Sequence, residues 1–284
     1  MQSLAGEAVV TDETTAFYRD ALRALNDAGE AVLVGGSHAL VYYTGVARHT
    51  KDFDIFCRRA DVERVLAVLD GIGARTELPY PHWLGKAHRD EALIDVIYCS
   101  GNGVAEVDDL WFRHAPGTLV LGVPARLCPP EEMIWSKGFI MERERFDGGD
   151  VTHLLLAQGH RLDWRRLVER FGRHWRALYA HLVLFGFVYP SERSRIPDAV
   201  MDELAARLAE EQAAGDAARP VTYGPLLSRA QYLIDVESGT YEDGRHDPDV
   251  FMTPADIDIW TRVIADEVRP YARSEGDDPH RRGR

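Results

Sequence analysis

The segment from Val34 to Phe56, VGGSHALVYYTGVARHTKDFDIF, constrains the fold of this chain more than any other segment. An apolar run that ends at Val34 stops at a Gly-Gly-Ser turn, and the residues after the turn predict a short helix over 37–44. The stretch 52–57 then alternates Asp with Phe and Ile, which is typical of a half-buried strand. This order of strand, glycine turn, helix and strand predicts a sheet that is flanked by helices.

The periodicity elsewhere divides the chain near residue 128, with both strands and helices before it and mainly helices after it. Further strands are predicted over 31–34 and 92–99, with possible edge strands at 120–123 and 126–127. Helices are predicted over 13–29, 61–73, most of 129–157, 163–185, 197–213 and 254–268, and 216–252 is predicted to be irregular. We therefore expect an α+β fold: an α/β domain with a mixed sheet over 1–128, an α-helical domain over 129–273 and a disordered tail over 274–284.

The charge of the chain excludes some classes of partner. The net charge of −13 argues against a general nucleic-acid-binding protein, which would usually be basic. The charge is uneven, however: residues 137–189 carry a net charge of +3 between two segments of −8 each. This basic stretch leaves room for a localised anionic partner. Only Lys51, Lys86 and Lys137 are lysines among 33 basic residues, a bias expected of a G+C-rich genome.

The location of the protein is predicted from what its sequence lacks. No apolar run reaches the ~20 residues that a membrane-spanning helix needs, and the first residues do not resemble a signal peptide. The three cysteines are far apart and lack the spacing of a zinc site. We expect them to be buried and reduced, and the protein to be cytoplasmic without a membrane partner.

Three aspartates in apolar strands predict a metal site. Asp52 and Asp54 lie two residues apart on one strand, so their side chains point to the same face, roughly 7 Å apart. Asp95 lies in the apolar strand 92–99. Carboxylates in such surroundings are costly unless a cation compensates them, and oxygen ligands suit Mg²⁺ or Mn²⁺. Asp95 alone would be interpreted as a structural residue that is bonded to the backbone or to an arginine, and its occurrence together with Asp52, Asp54 and the Gly-Gly-Ser turn favours the metal role.

The turn Gly35-Gly36-Ser37 is a candidate phosphate-binding loop. Glycines let the backbone turn tightly and approach a ligand, and the N-terminus of the following helix offers free N–H groups to a phosphate. By itself, the turn could also be a plain connection between strand and helix.

Taken together, these residues resemble the nucleotidyltransferase superfamily that shares the DNA-polymerase-β-like palm. The form Arg48-x-Thr50-x-Asp52-x-Asp54 is most similar to the AbiEii-type group, which includes toxins of type IV toxin–antitoxin systems. The resemblance covers residues 30–100. It implies a palm domain over 1–128 and assigns roles to individual residues. The residues that it implies bind the nucleotide are Gly35, Gly36, Ser37, Arg48 and Thr50. Those that it implies bind the metal and take part in catalysis are Asp52, Asp54 and Asp95.

The resemblance continues more loosely into the helical part. It implies that Lys137 contacts the β- or γ-phosphate, where a compact point charge suits the departing pyrophosphate. Asp150 would then belong to the nucleotide-binding site, where it would order Lys137 or an arginine. Alternatively, it would cap a helix that begins at Val151. This segment departs from the AbiEii-type pattern, because Phe146 stands where that group has a lysine beside the first aspartate. No pattern assigns a role to Lys51 or Lys86.

These features predict a metal-dependent enzyme that moves a nucleoside monophosphate from a nucleoside triphosphate to an acceptor hydroxyl and releases pyrophosphate. The AbiEii-type resemblance implies an RNA acceptor, such as a tRNA 3′ end, and a cognate antitoxin as a possible partner. Antibiotic adenylyltransferases of the same superfamily provide an alternative, a small hydroxylated acceptor. A third alternative is a regulatory protein that binds nucleotide without turnover.

Overall fold

A five-stranded sheet forms the centre of the N-terminal part of the chain. The computed structural model describes residues 12–47 and 52–265. Its strands are β1 (Leu33–Val34), β2 (Asp52–Phe56), β3 (Arg75–Tyr80), β4 (Leu84–Arg89), β5 (Ala92–Ile97), β6 (Gly117–Val120), β7 (Val123–Arg126), β8 (Val221–Thr222) and β9 (Glu242–Asp243). The sheet has the order β1-β2-β5-β4-β3, whereas β6 pairs with β7 and β8 with β9.

The central sheet is mixed, as the sequence predicts. Strands β2 and β5 run parallel, and the other neighbouring strands in the sheet are antiparallel. The parallel register sets Asp54 directly opposite Asp95. Two residues that are 41 positions apart in the sequence thus become neighbours on adjacent strands.

Helices surround the sheet and make up most of the chain after it. They are α1 (Asp12–Asp27), α2 (Gly36–Thr44), α3 (Val62–Gly71), α4 (Asp109–His114), α5 (Pro130–Lys137), α6 (Gly148–Gln158), α7 (Trp164–Phe171), α8 (Trp175–Val188), α9 (Asp198–Ala214), α10 (Gly224–Leu227), α11 (Leu233–Glu237) and α12 (Pro254–Ala265). Short 3₁₀ turns lie at Arg59–Asp61, Gly172–His174, Arg193–Arg195 and Gly244–His246. The α+β class and the helical second part are confirmed.

The two faces of the central sheet differ in chemistry. On one face, the apolar side chains of β2 and β5, including Phe53, Ile55, Ile94 and Val96, are fully buried. Helices α1 and α3 contact each other and the sheet, so they bury this face. The alternate residues of the same strands, including Asp54 and Asp95, point to the other face because side chains alternate along a strand.

Helix α2 links the sheet to the helical part. It packs against α6, which also packs against α5 and α8. The side-chain amide of Gln158 donates to the Tyr43 carbonyl at 2.7 Å, and the Tyr43 hydroxyl donates to the Cys128 carbonyl at 2.9 Å. This packing holds the end of α5 close to the polar face of the sheet. The division into domains at residue 128 stays a prediction.

Strands β3 and β4 are the main elements that the sequence pattern failed to predict. Their sequences, RTELPY and LGKAHR, are largely polar, and β3 contains a proline. A Pro in a run argues against a strand unless the strand lies at an edge, and β3 is an edge strand. The two strands form a hairpin that pairs with β5 through β4, so tertiary pairing stabilises what local propensity does not.

Other boundaries also differ from the predictions. The single helix predicted over 163–185 is interrupted at Gly172, where a φ of +48° breaks the helical path. The possible edge strands near 120–127 form the hairpin of β6 and β7. The segment 216–252 contains short helices and strands in addition to irregular chain.

Two further findings concern the cysteines and the character of the helices. The three cysteines are free and buried, as predicted. Among the described helices, none combines the length and the apolar character that crossing a bilayer requires.

Candidate functional site

Asp52, Asp54 and Asp95 converge on the polar face of the central sheet. Each offers a carboxylate oxygen, and these oxygens all lie within 4.8 Å of one another. Strand β2 supplies the first two because they are two residues apart, and β5 supplies the third through its parallel register. We call these three residues the aspartate triad. All three side chains are partly buried.

The glycine turn lies against the triad. Gly36 begins α2 with a φ of +53°, and a Cβ atom on it would overlap the Oδ2 atom of Asp54. The backbone N–H of Gly35 donates to the Asp54 carbonyl at 3.0 Å. Only glycine fits this conformation and this close approach. The turn and the first N–H groups of α2 therefore lie next to the carboxylates, where a metal-bound phosphate could reach both.

The electrostatics of the triad favour a bound cation. Burial, reinforced by the charges of Asp52 and Asp95, raises the pKa of Asp54 to about 7. Burial also raises the pKa of Asp95, although a bond from Lys86 opposes this shift. Carboxylates that resist ionisation because they face one another lose that penalty when a divalent cation binds. The oxygen donors fit the Mg²⁺ or Mn²⁺ that the sequence predicts.

Lys86 is the site residue that sequence reasoning missed. Its Nζ atom donates to Asp95 Oδ1 at 2.9 Å from the adjacent strand β4. The interaction depends on the β3–β4 hairpin, which was not predicted. The scarcity of lysine was the one available signal, but it could not distinguish Lys86 from Lys51.

Lys137, the lysine that the sequence analysis places at the phosphates, lies at the end of α5 in an ion-pair cluster. Its Nζ atom lies 2.7 Å from Asp147 Oδ2 and 2.7 Å from Asp150 Oδ2. Arg145 also donates two hydrogen bonds to Asp147, each 3.0 Å long. We call these four residues the Lys137 cluster. The positive charges of Lys137 and Arg145 partly offset the raised pKa of Asp54, so the cluster acts electrostatically on the triad.

The contacts of Asp150 and Asp147 can be compared with the roles predicted from the sequence. Asp150 lies inside α6, which begins at Gly148 and not at Val151, and its carboxylate pairs with Lys137. Asp147, which received no separate role, binds both cations of the cluster. These ion pairs lower its pKa to about 2 against the opposing effect of burial.

The remaining predicted residues are placed as follows. Ser37 is buried in the first turn of α2. His38 packs edge-on against Phe53, with ring centroids 4.8 Å apart. Arg48 and Thr50, which were predicted to bind the nucleotide, lie outside the described residues. The same is true of Lys51.

Phe146 occupies the position where the AbiEii-type pattern has a lysine. Its side chain is 52% exposed and stacks on His181, with ring centroids 6.1 Å apart. Arg145, the residue before it, supplies the positive charge that reaches Asp147. The departure from the pattern therefore leaves Asp147 with two cationic partners.

The basic stretch of the sequence is largely neutralised in three dimensions. Arg166 and Arg170 of α7 bind the buried carboxylates of Glu131 and Glu132, and Arg170 also binds Asp108. Other arginines of the stretch pair with acidic residues in the same way: Arg165 with Glu169, Arg173 with Asp247 and Asp249, and Arg176 with Glu211. These arginines hold the helical part together, so their sequence charge overstates their attraction for an anionic partner.

The fold resembles several solved structures at low identity. The solution structure of the antibiotic-resistance factor ANT(2'')-Ia matches with 21% identity and a TM-score of 0.43, over 61% of this chain and 96% of that chain. The lincomycin-bound crystal structure of the lincosamide antibiotic adenylyltransferase LnuA matches with 16% identity and a TM-score of 0.37, over 51% and 96%. An antigenic nucleotidyltransferase-like protein from Paracoccidioides brasiliensis matches with 14% identity and a TM-score of 0.35, over 60% and 92%.

Nucleotidyltransferases are thus among the proteins that this chain is similar to. No family model matches the sequence, and no curated protein matches it.

Proposed function

We propose that the protein is a metal-dependent nucleotidyltransferase that moves a nucleoside monophosphate from a nucleoside triphosphate to an acceptor hydroxyl. The observation that carries the proposal is the aspartate triad, whose ligand oxygens lie within 4.8 Å of one another beside a glycine turn. Neither feature has an evident structural purpose. Three facing carboxylates destabilise the fold without a cation, and Gly36 has an unusual conformation in direct contact with Asp54.

Each part of the site has a distinct task in this reaction. Asp52 and Asp54 would hold Mg²⁺ or Mn²⁺, and Asp95 would complete a second metal position and accept the proton of the acceptor hydroxyl. A bound divalent cation supplies charge stabilisation at the phosphoryl oxygens and lowers the pKa of the attacking hydroxyl. The turn Gly35-Gly36-Ser37 would bind the triphosphate through the N–H groups at the start of α2, and the resemblance also assigns nucleotide binding to Arg48 and Thr50.

Lys137 would stabilise the negative charge that develops on the departing pyrophosphate. Its ammonium is held by Asp147 and Asp150, which fix its position but also neutralise it in part. The attacking oxygen forms a bond to the α-phosphorus in line with the leaving pyrophosphate, and the bond from the α-phosphorus to the bridging oxygen breaks. Positioning and electrostatic stabilisation supply the catalysis in such a reaction.

The proposal is tested by Asp54→Asn in the purified protein with Mg²⁺, nucleoside triphosphate and total cellular acceptors. We expect transfer to fall at least ~100-fold, because a lost metal ligand removes several kcal/mol of stabilisation. A matched control is Asp109→Asn, which makes the same chemical change on an exposed carboxylate outside the triad. Unchanged transfer by Asp54→Asn would reject the proposed function.

For the acceptor, we propose RNA, and specifically a tRNA 3′ end, on the basis of the AbiEii-type resemblance in residues 48–54. The ion pairs of α7 weaken the electrostatic support that the basic stretch gives this acceptor. The four α-labelled nucleoside triphosphates, each incubated with total tRNA, test it directly. Label in tRNA supports the proposal, whereas label only in aminoglycosides or lincosamides would replace it with a small-molecule acceptor.

Two further parts of the proposal have their own readouts. Calorimetric binding of nucleoside triphosphate that requires Mg²⁺, without transfer to any acceptor, would favour a nucleotide-binding regulatory protein. A cognate antitoxin would be detected as a co-expressed protein that abolishes transfer.

A further inference from the structure

Lys86 lies between two carboxylates in the sheet. Its register partner on β5 is Asp95, and its register partner on β3 is Glu77. The ammonium bonds to Asp95 at 2.9 Å, and Lys86 is partly buried, with 23% of its side chain exposed. Glu77 is instead bound by His88 at 2.9 Å on the outer part of the sheet. Of its two register partners, Lys86 therefore binds the one that belongs to the aspartate triad.

The bond from Lys86 engages one oxygen of the Asp95 carboxylate, Oδ1. Asp95 also offers a carboxylate oxygen within 4.8 Å of those of Asp52 and Asp54. Cross-strand neighbours have Cβ atoms only about 5 Å apart, so a flexible lysine stem can follow small movements of its partner. A carboxylate that is held by one oxygen keeps its orientation while the other oxygen exchanges ligands.

The net charge of the aspartate triad and Lys86 indicates how many cations the site can hold. The three carboxylates of the aspartate triad and the ammonium of Lys86 leave two negative charges when all groups are ionised. One divalent cation balances them. A second divalent cation would create a net positive site, which is unfavourable until a triphosphate brings further negative charge.

We infer that Lys86 is a positioning residue that takes the place of the second cation at Asp95 before the nucleotide binds. This inference rests on the proposed metal-dependent transfer. Lys86 holds Asp95 in its productive orientation and restricts the nucleotide-free site to one divalent cation. The second cation then arrives with the triphosphate, whose charge offsets the repulsion from Lys86.

The test measures Mn²⁺ binding by electron paramagnetic resonance, without nucleotide, together with steady-state transfer. For Lys86→Met we expect nucleotide-free Mn²⁺ affinity to rise by about 10-fold, because a like charge next to the metal is removed. We expect kcat to fall about 10-fold while KM for the triphosphate changes little, because Asp95 loses its orientation but the glycine turn is untouched. Lys86→Arg retains the charge, so its Mn²⁺ affinity stays at the wild-type value and part of kcat is restored.

The opposite directions of the two effects separate positioning from a merely structural role. If Lys86 only stabilised the sheet, Lys86→Met would weaken Mn²⁺ binding and transfer together, and the inference would be wrong. An unchanged Mn²⁺ affinity with unchanged kcat would also overturn it. His88→Gln is the matched control, since His88 lies on the same strand and bonds to Glu77 outside the triad.

Failure of the inference and failure of the proposed function give different results. If Asp54→Asn binds Mn²⁺ as the wild type does, the triad is not the metal site and the proposed function fails. If Asp54→Asn loses the bound Mn²⁺ but Lys86→Met matches the wild type, only the inference fails. Melting temperatures of each variant without metal verify that it is folded.

Discussion

The aspartate triad and the Lys137 cluster both bury carboxylates, yet burial has opposite outcomes in the two places. In the triad, three carboxylates share one ammonium, and the pKa of Asp54 rises to about 7. In the Lys137 cluster, two carboxylates share a lysine and an arginine, and the pKa of Asp147 falls to about 2. Charge balance, and not burial alone, decides whether a buried carboxylate is stable.

The comparison suggests different purposes for the two groups. The Lys137 cluster has equal numbers of positive and negative groups, so it holds the Lys137 ammonium in place between α5 and α6 without a further ion. The triad is short of positive charge and stores electrostatic strain that a cation would relieve. Strained polar arrangements of this kind are found preferentially at functional sites.

The largest expected change in stability comes from Lys137→Met. This variant removes the shared cation of two buried carboxylates, so we expect the free energy of unfolding to fall by about 3 kcal/mol. Urea unfolding without divalent metal, at neutral pH, measures it. Lys86→Met is the comparison, and it should cost much less because the triad can bind a proton in place of the ammonium. Equal losses in the two variants would show that the clusters do not differ in this way.

The pH dependence of stability is the next largest effect. Asp54 has a folded pKa of about 7, above the ordinary value of 3.8, so the folded state holds a proton that the unfolded state has lost. The contribution of Asp54 to stability without metal should therefore fall as pH rises from about 4 to 7, by at most ~1.4 kcal/mol per pH unit. Thermal unfolding across this range, with and without Mg²⁺, measures the fall.

Two comparisons isolate the contribution of Asp54 to this pH profile. Saturating Mg²⁺ should remove the fall near pH 7, and Asp54→Asn should remove the part that is due to Asp54, while Asp95, whose pKa burial also raises, keeps its own part. Asp147 acts in the opposite sense, because its pKa is lowered from 3.8 to about 2. Its contribution to stability is present above pH 4 and is lost as the pH falls toward 2. A wild-type profile that is identical to that of Asp54→Asn would contradict the raised pKa.

The smallest expected effect comes from Arg145→Gln in the Lys137 cluster. The Arg145 side chain is 63% exposed, whereas that of Lys137 is 10% exposed. Solvent screens an exposed ion pair, so we expect a loss of less than ~1 kcal/mol in urea unfolding. A loss as large as that of Lys137→Met would mean that the two cations contribute equally despite their different exposure.

Predictions from the sequence succeeded where the pattern is local. The alternation in 52–57 predicted β2 and the common face of Asp52 and Asp54, because side chains alternate along any strand. The apolar spacing of 13–29 likewise predicted α1, which the structure describes as Asp12–Asp27. The predicted roles of the site residues in binding and catalysis remain predictions.

Predictions failed or were incomplete where a structure depends on contacts between residues that are far apart in the sequence. The polar strand LGKAHR has no strand signal of its own, and β5 stabilises it by hydrogen bonding. The net charge of 137–189 suggested a basic surface, but Arg166 and Arg170 bind the carboxylates of Asp108, Glu131 and Glu132. A count of charges along the sequence cannot include partners that only folding brings together.

By itself, the sequence determined the α+β class, the turn at Gly35-Gly36 and the three aspartates, because periodicity and the special properties of glycine act within a few residues. The tertiary structure decided that Asp95 faces Asp54, that Lys86 bonds to Asp95 and that Lys137 is shared by two carboxylates. These contacts depend on strand register and helix packing between distant segments. Their energies arise from burial and charge balance, which exist only once the chain has folded.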